Sequence, residues 1–117
     1  MAEVAVVGAG LMGHALALVF ALGGHSVRLT DNNPSSLARA PGLMATALVI
    51  EAVVERPDVK RAVYGQLEKL MEPDAILASN TSNLDIFPLV PDGLGKRTII
   101  AHWYTPPYLV DLVDIVA

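Results

Sequence analysis

The chain has 117 residues, of which 53% are hydrophobic and 17% are charged, and its formal net charge at pH 7 is −4. This length predicts a single domain over residues 1–117, and the acidic balance, with no Lys or Arg cluster larger than a pair, argues against a nucleic-acid partner. The absence of cysteine excludes disulfides and thiolate metal sites, and three scattered histidines do not suggest any other metal site.

A glycine-rich turn follows the first predicted strand. Residues 4–7 form a short apolar run, and Gly8-Ala9-Gly10-Leu11-Met12-Gly13 comes directly after it. An apolar stretch of helical length, residues 11–22, leads to a second short run at residues 26–30, which ends in Asp31. A strand, a tight turn, a helix, a strand and an acid in this order are typical of a dinucleotide-binding βαβ unit.

Each residue type in this unit has a physical role. Gly8 permits the tight turn because glycine reaches positive φ at low cost, Gly10 lets the backbone approach a pyrophosphate, and Gly13 lets the helix pack closely on the strand. The helix N-terminus offers free N–H groups to the phosphates. Asp31, 23 positions after Gly8, can accept hydrogen bonds from the adenosine ribose and would repel a 2′-phosphate, which favours NAD(H) over NADP(H). The alternative is a glycine turn that only packs a helix on a strand.

The rest of the chain alternates between predicted strands and helices. We expect helices at residues 35–40 (ended by Pro41-Gly42) and from Pro57 to about residue 71, one or two helical turns at 84–90, and strands at 48–50, 75–78, 98–104 and 110–116. This alternation predicts an α/β, Rossmann-like, doubly wound and mainly parallel sheet with helices on both faces.

No segment suggests a membrane or an export signal. The longest apolar run, residues 15–22, is too short to span a bilayer, and no basic leader precedes the first strand. We therefore expect a cytoplasmic protein with no membrane partner.

Polar residues cluster where the later strands end. Ser79-Asn80-Thr81-Ser82 follows one strand, Glu55 follows another, and His102 and Asp114 lie in the last two. Ligands of open α/β sheets bind beyond the carboxyl ends of the strands, so these side chains are candidates for a site.

Four segments together resemble the NAD-binding domain of the L-3-hydroxyacyl-CoA dehydrogenase family: GAGLMG (8–13), LVIEAVVE (48–55), ASNTS (78–82) and residues 102–116. The ASNTS segment followed by a histidine and an acid is more specific than the glycines. It separates this family from the 3-hydroxyisobutyrate and 6-phosphogluconate dehydrogenases. The resemblance covers nearly the whole chain and implies NAD as cofactor, with a 3-hydroxyacyl-CoA or related 3-hydroxy acid of fatty acid metabolism as substrate.

The resemblance also implies roles for individual residues. His102 matches the catalytic base, Asp114 matches its acidic partner, and Ser82 matches a serine near both substrate and nicotinamide. The residues implied in cofactor binding are Gly8, Ala9, Gly10, Leu11, Met12, Gly13, Asp31, Glu55, Lys60, Asn80 and Ser82.

The chain departs from the family pattern in several places. Asp114 is shorter than the usual Glu, so its contact with His102 is expected to be longer or water-bridged, and Thr105 stands where many members have Asn. The family has a longer connection with a helical excursion between the ribose acid and the next strand, whereas only residues 32–47 connect them here. The resemblance therefore implies the loss of an edge strand and the strand order 2-1-3-4-5, with the Asp31 strand at an edge. The family's C-terminal helical domain, with another catalytic Asn, most of the acyl pocket and the dimer interface, is not expected within these residues.

Three functions remain open at this point. The first is an NAD(H)-dependent oxidoreductase domain that transfers a hydride between the substrate's 3-carbon and nicotinamide. The second is an NAD(H)-binding module without turnover of its own, and the third is a scaffold with neither property. Purely structural interpretations also remain for single residues: His102 as a hydrogen-bonded strand histidine, Ser82 as a helix cap, Glu51 as a structural or surface residue, and Trp103 and Tyr104 as core and rim residues.

Overall fold

The computed structural model describes residues 2–31, 33, 46–110 and 112–117. The strands are β1 (Glu3–Val7), β2 (Ser26–Thr30), β3 (Leu48–Glu51), β4 (Ile76–Ser79), β5 (Thr98–Trp103) and β6 (Val113–Val116). The helices are α1 (Leu11–Leu22), α2 (Pro57–Leu70), α3 (Asp92–Gly95) and a 3₁₀ helix at Phe87–Leu89.

The six strands form one sheet in the order β2-β1-β3-β4-β5-β6. All neighbouring pairs are parallel except β5 and β6, which are antiparallel. The predicted order of the first five strands and the edge position of the Asp31 strand are therefore confirmed, as is the predicted fold class. The sixth strand adds an antiparallel edge, as is common on sheets that are otherwise parallel.

The two faces of the sheet pack against different helices. Successive side chains of a strand point to opposite faces, so Val4 and Val6 of β1 join a cluster with Leu16 of α1. Ala5 and Val7 join a second cluster that includes the α2 side chains Val63, Tyr64 and Leu67. Helices thus lie on both faces, and the central strands are buried from both sides.

Several predicted boundaries differ from the observed ones by one or more residues. The last strand begins at Val113 rather than at residue 110, because the chain first makes a turn over residues 105–109. The helical turn at 84–90 is reduced to the 3₁₀ helix, where Pro88 breaks a regular helix. Gly93 and Gly95 lie in the short helix α3. The predicted helix at 35–40 lies outside the described residues.

Parallel pairing places the carboxyl ends of β1, β2, β3 and β4 at the same edge of the sheet. The glycine turn, Asp31, Glu55 and the polar loop after β4 all follow these ends. Among the helices formed by the described residues, none is both long and apolar enough to cross a membrane.

Candidate functional site

A cleft of about 680 Å³ opens at this edge of the sheet. Eight of the residues predicted to bind the cofactor line it: Gly8, Ala9, Gly10, Met12, Asp31, Glu55, Asn80 and Ser82. The predicted residues Leu11, Gly13, Lys60, His102 and Asp114 are not among its lining residues. The sequence therefore located most of the cleft, and the remaining five residues relate to it in different ways.

The glycine turn is tightly closed against its neighbours. Gly8 has a φ of +112°, and a Cβ on it would lie 2.6 Å from the backbone oxygen of Ala52. A Cβ on Gly13 would lie 1.7 Å from the backbone oxygen of Gly8. By contrast, a Cβ on Gly10 would meet nothing within 4 Å, because that position faces the open cleft. Gly8 and Gly13 thus shape the turn, and Gly10 leaves space beside it.

The N-terminus of α1 meets this space without a capping side chain. Gly10 occupies the N-cap position, no side chain caps the helix, and its first turn carries no acid. The N–H groups at the start of a helix attract anions, and the helix dipole adds to this effect. The open space at Gly10, these N–H groups and Asp31 in one cleft fit the pyrophosphate and ribose of a dinucleotide. Leu11, 83% exposed, lies in the first turn of the helix.

Glu55 links two loops at the rim of the cleft. Its Oε2 atom accepts hydrogen bonds from the Thr81 hydroxyl (2.9 Å) and from the backbone N–H groups of Ser82 (3.1 Å) and Asn83 (3.2 Å). Its Oε1 atom lies 3.2 Å from the Lys60 ammonium. Partial burial would raise the pKa of Glu55, but the hydrogen bonds from Thr81, Lys60, Ser82 and Asn83 outweigh it and lower the pKa below 4.5.

Lys60, predicted to contact the cofactor, lies beneath the cleft instead. Its side chain is 1% exposed, and its ammonium lies 2.6 Å from Glu51 Oε2 as well as 3.2 Å from Glu55 Oε1. The Val53 carbonyl accepts a further hydrogen bond from it at 3.4 Å. An ammonium has three donors, and protein groups occupy all three. In this geometry the ammonium has no donor left over for a cofactor, and a direct contact between Lys60 and a cofactor stays a prediction.

Glu51 is the centre of a buried network that the sequence did not reveal. It is 0% exposed, which rules out the surface alternative. Besides Lys60, it accepts hydrogen bonds from the Val53 N–H (2.9 Å), the Ser79 hydroxyl (2.6 Å) and the Tyr64 hydroxyl. Burial and the charge of Glu51 raise the pKa of Tyr64 well above 10.0, so Tyr64 remains a hydrogen-bond donor. All members of this network are satisfied, as a buried charge requires.

Ser82 and His102 meet across the ends of β4 and β5. The Ser82 hydroxyl oxygen lies 3.1 Å from His102 Nε2. Asn80, in the same loop as Ser82, accepts a hydrogen bond from the Trp103 N–H through its Oδ1 atom at 3.0 Å. Asn80 and Ser82 line the cleft. His102 does not line it but contacts Ser82, which does. The structure thus brings together the serine and the histidine that the sequence singled out.

No hydrogen bond or ion pair joins the side chains of Asp114 and His102, although the two residues are directly opposite each other in the β5–β6 register. The Tyr104 hydroxyl donates to Asp114 Oδ2 at 2.5 Å, and the Tyr104 ring packs edge-on against the His102 ring at 4.9 Å. A direct hydrogen bond is thus absent, as expected for the shorter Asp side chain, and the longer or water-bridged His102–Asp114 contact stays a prediction. The short Asp side chain is held by a tyrosine that the sequence analysis assigned to the core or rim.

This assignment predicts a change in the titration of Tyr104. The hydrogen bond to Asp114 and the charge of Asp114 raise the pKa of Tyr104, so Asp114→Asn should lower that pKa toward 10.0. NMR titration of the Tyr104 ring resonances measures it, with the exposed Asp92→Asn as the matched control. An unchanged Tyr104 titration in Asp114→Asn would show that the carboxylate is bound elsewhere.

Comparisons with known proteins give a consistent result. The family model "3-hydroxyacyl-CoA dehydrogenase, NAD binding domain" matches in two pieces, residues 3–48 and 40–117. A peroxisomal fatty acid beta-oxidation multifunctional protein of Oryza sativa subsp. japonica is 29% identical, with 97% of this chain and 21% of that protein covered. The two pieces of the family match meet near the short connection between β2 and β3.

Two solved structures share the fold. A 3-hydroxyacyl-CoA dehydrogenase from Archaeoglobus fulgidus is 30% identical, with a TM-score of 0.82 and coverage of 98% of this chain and 46% of that chain. A 3-hydroxybutyryl-CoA dehydrogenase from Escherichia coli K12 is 28% identical, with a TM-score of 0.85 and coverage of 99% of this chain and 32% of that chain. The chain thus spans less than half the length of each of these three proteins.

Proposed function

The chain belongs to the family of 3-hydroxyacyl-CoA dehydrogenase NAD-binding domains, and from that premise we propose that it performs the cofactor-binding and proton-transfer parts of a 3-hydroxyacyl dehydrogenation. The observation that carries the proposal is the 3.1 Å contact between His102 Nε2 and the hydroxyl of Ser82, a residue that lines the cleft. The proposed substrate is a 3-hydroxyacyl-CoA or a related 3-hydroxy acid.

Each part of the site has a role in this proposal. Gly8, Gly10 and the α1 N-terminus hold the pyrophosphate, and Asp31 accepts hydrogen bonds from the adenosine ribose. A bound nicotinamide supplies hydride transfer to and from carbon 3 of the substrate.

In the oxidation direction, His102 Nε2 takes the proton of the substrate's 3-hydroxyl, and in the reduction direction it returns the proton to the carbonyl oxygen. Imidazole suits both directions because its unperturbed pKa lies near the working pH. The Ser82 hydroxyl holds the substrate oxygen beside His102.

A second candidate is an NAD(H)-binding module without turnover. Two observations favour it: the chain spans less than half the length of the three relatives described above, and the carboxylate opposite His102 is bound by Tyr104. A cytoplasmic location is part of the proposal and rests on the absence of cysteine, which is compatible with a reducing compartment.

A turnover assay separates the two candidates. The loss of NADH absorbance in the presence of acetoacetyl-CoA, abolished in His102→Ala, is the expected result for the dehydrogenase. Removal of a general base typically lowers the rate by about 10²–10⁴-fold. NADH binding without any turnover would favour the module, and turnover that survives His102→Ala would contradict the role assigned to that histidine.

A further inference from the structure

A continuous series of contacts runs from the buried sheet to the Ser82–His102 pair. Glu51, at the end of β3, contacts Lys60 of α2 at 2.6 Å, and Lys60 contacts Glu55 at 3.2 Å. Glu55 then accepts three hydrogen bonds from residues 81–83, through the Thr81 hydroxyl and the next two N–H groups. The series joins α2 and the segments that follow β3 and β4.

The buried end of this series is fixed in place. Glu51 is 0% and Lys60 1% exposed, so neither can exchange its partner for water without opening the core. Glu51 is held independently of Lys60 by Val53, Ser79 and Tyr64. The Lys60 ammonium is therefore a fixed positive charge directly below Glu55.

At the exposed end of the series, the position of the 81–83 loop depends on the orientation of Glu55. The Glu55 side chain is 38% exposed and could rotate into solvent if nothing held it. The ammonium holds its Oε1 atom, which leaves Oε2 directed at the backbone of Ser82 and Asn83. Ser82 in turn has its hydroxyl 3.1 Å from His102 Nε2.

We propose that Lys60 is a positioning residue that acts through Glu55: its buried ammonium orients the Glu55 carboxylate, which holds the 81–83 loop so that the Ser82 hydroxyl meets His102. The part of this inference that concerns the cofactor rests on the proposed function. The part that concerns the loop does not, because it can be measured without any ligand.

The inference predicts two effects of removing the ammonium. Glu55 should lose orientation, so the hydrogen bonds to the N–H groups of Ser82 and Asn83 should weaken. Because Lys60 lowers the pKa of Glu55, that pKa should also rise. The Glu55 carboxylate forms an ion pair with Lys60, which belongs to α2. It also accepts hydrogen bonds from Thr81, Ser82 and Asn83 of the loop.

The experiment uses a double variant, because Lys60→Met alone leaves Glu51 buried without a counter-charge. Glu51→Gln/Lys60→Met removes both charges, whereas Glu51→Gln keeps the Lys60–Glu55 pair. Arg61→Met, the loss of the neighbouring exposed cation, is the matched control. The backbone amide resonances of Ser82 and Asn83 are followed by NMR through an acid titration of the protein without ligand.

We expect the Ser82 and Asn83 amides to shift upfield in the double variant relative to Glu51→Gln, with a higher midpoint, and to stay unchanged in Arg61→Met. We also expect NADH to bind about tenfold more weakly to the double variant than to Glu51→Gln. Glu55→Gln should lower the NADH affinity by a similar factor. Adding Glu55→Gln to the double variant should lower the affinity no further, because Lys60 acts through Glu55.

Unchanged amides and an unchanged midpoint in the folded double variant would overturn the inference and leave Lys60 with a purely structural role. If no protein, including the unaltered chain, binds NADH, the proposed function fails, and the amide titration still decides whether Lys60 positions the loop. If NADH binds equally to Glu51→Gln and the double variant although the amides shift, the inferred link between the loop and the cofactor is wrong.

Discussion

Replacing Lys60 with methionine is expected to lower the free energy of unfolding by about 3–5 kcal/mol. The reason is that Glu51, 0% exposed, would then be a buried carboxylate without a cation. Urea denaturation at pH 7 measures the change. The control Arg61→Met removes an exposed cation from the same helix and should change the stability by less than about 0.5 kcal/mol.

The double variant Glu51→Gln/Lys60→Met should recover much of this loss, since it removes the unpaired charge itself. Double variants of residues in contact are strongly non-additive for this reason. If Lys60→Met unfolds at the same urea concentration as Arg61→Met, the buried ion pair does not contribute as the geometry indicates.

Gly13→Ala is the second substitution with a large expected effect. In most helices this change is stabilising by about 0.5–1 kcal/mol. Here the added Cβ would lie 1.7 Å from the Gly8 backbone oxygen, so α1 and the glycine turn must move apart. We expect a loss of about 1–3 kcal/mol in the free energy of unfolding and more than a tenfold loss in NADH affinity.

Gly65→Ala in α2 is the matched control. A Cβ on Gly65 meets nothing within 4 Å, so this change should stabilise the chain by about 0.4–1 kcal/mol and leave NADH binding unchanged. Equal stability and equal affinity of the two variants would contradict the conclusion that close packing of α1 on Gly8 shapes the cofactor site.

Local patterns were sufficient to predict the fold and most of the cleft. The glycines at positions 8, 10 and 13 and Asp31 lie within a single βαβ unit, so their spacing along the chain determines their arrangement in space. The strand order that the sheet shows was predicted from the family resemblance, because the connection over 32–47 lacks the family's longer excursion.

The buried network depends on residues far apart in sequence, and no spacing rule identifies it. One signal was present: Lys60 lies three positions before Val63 and seven before Leu67, which places a lysine on the buried face of α2. A buried lysine requires an acidic partner, but the sequence does not indicate whether Glu51 or Glu55 provides it. In the structure both do.

The position of Asp114 could not be predicted either. Its register opposite His102 agrees with a paired role, but the hydroxyl of Tyr104, which directly follows β5, donates to its carboxylate instead. Competition between two neighbouring donors for one short carboxylate is decided by side-chain geometry. The sequence pattern contains no information about it.

The most direct test of the account is an NADH titration followed by the fluorescence of Trp103, the only tryptophan in the chain. The Trp103 indole packs against the Phe20 ring on the α1 side of the sheet, and within a domain of this size energy transfer to a dihydronicotinamide bound in the cleft should quench its emission. We expect saturable quenching, with an NADH affinity that falls about tenfold or more in Asp31→Ala and an affinity for NADPH that is lower than that for NADH. A flat titration, with no heat of binding by calorimetry, would contradict the assignment of this cleft as an NAD site.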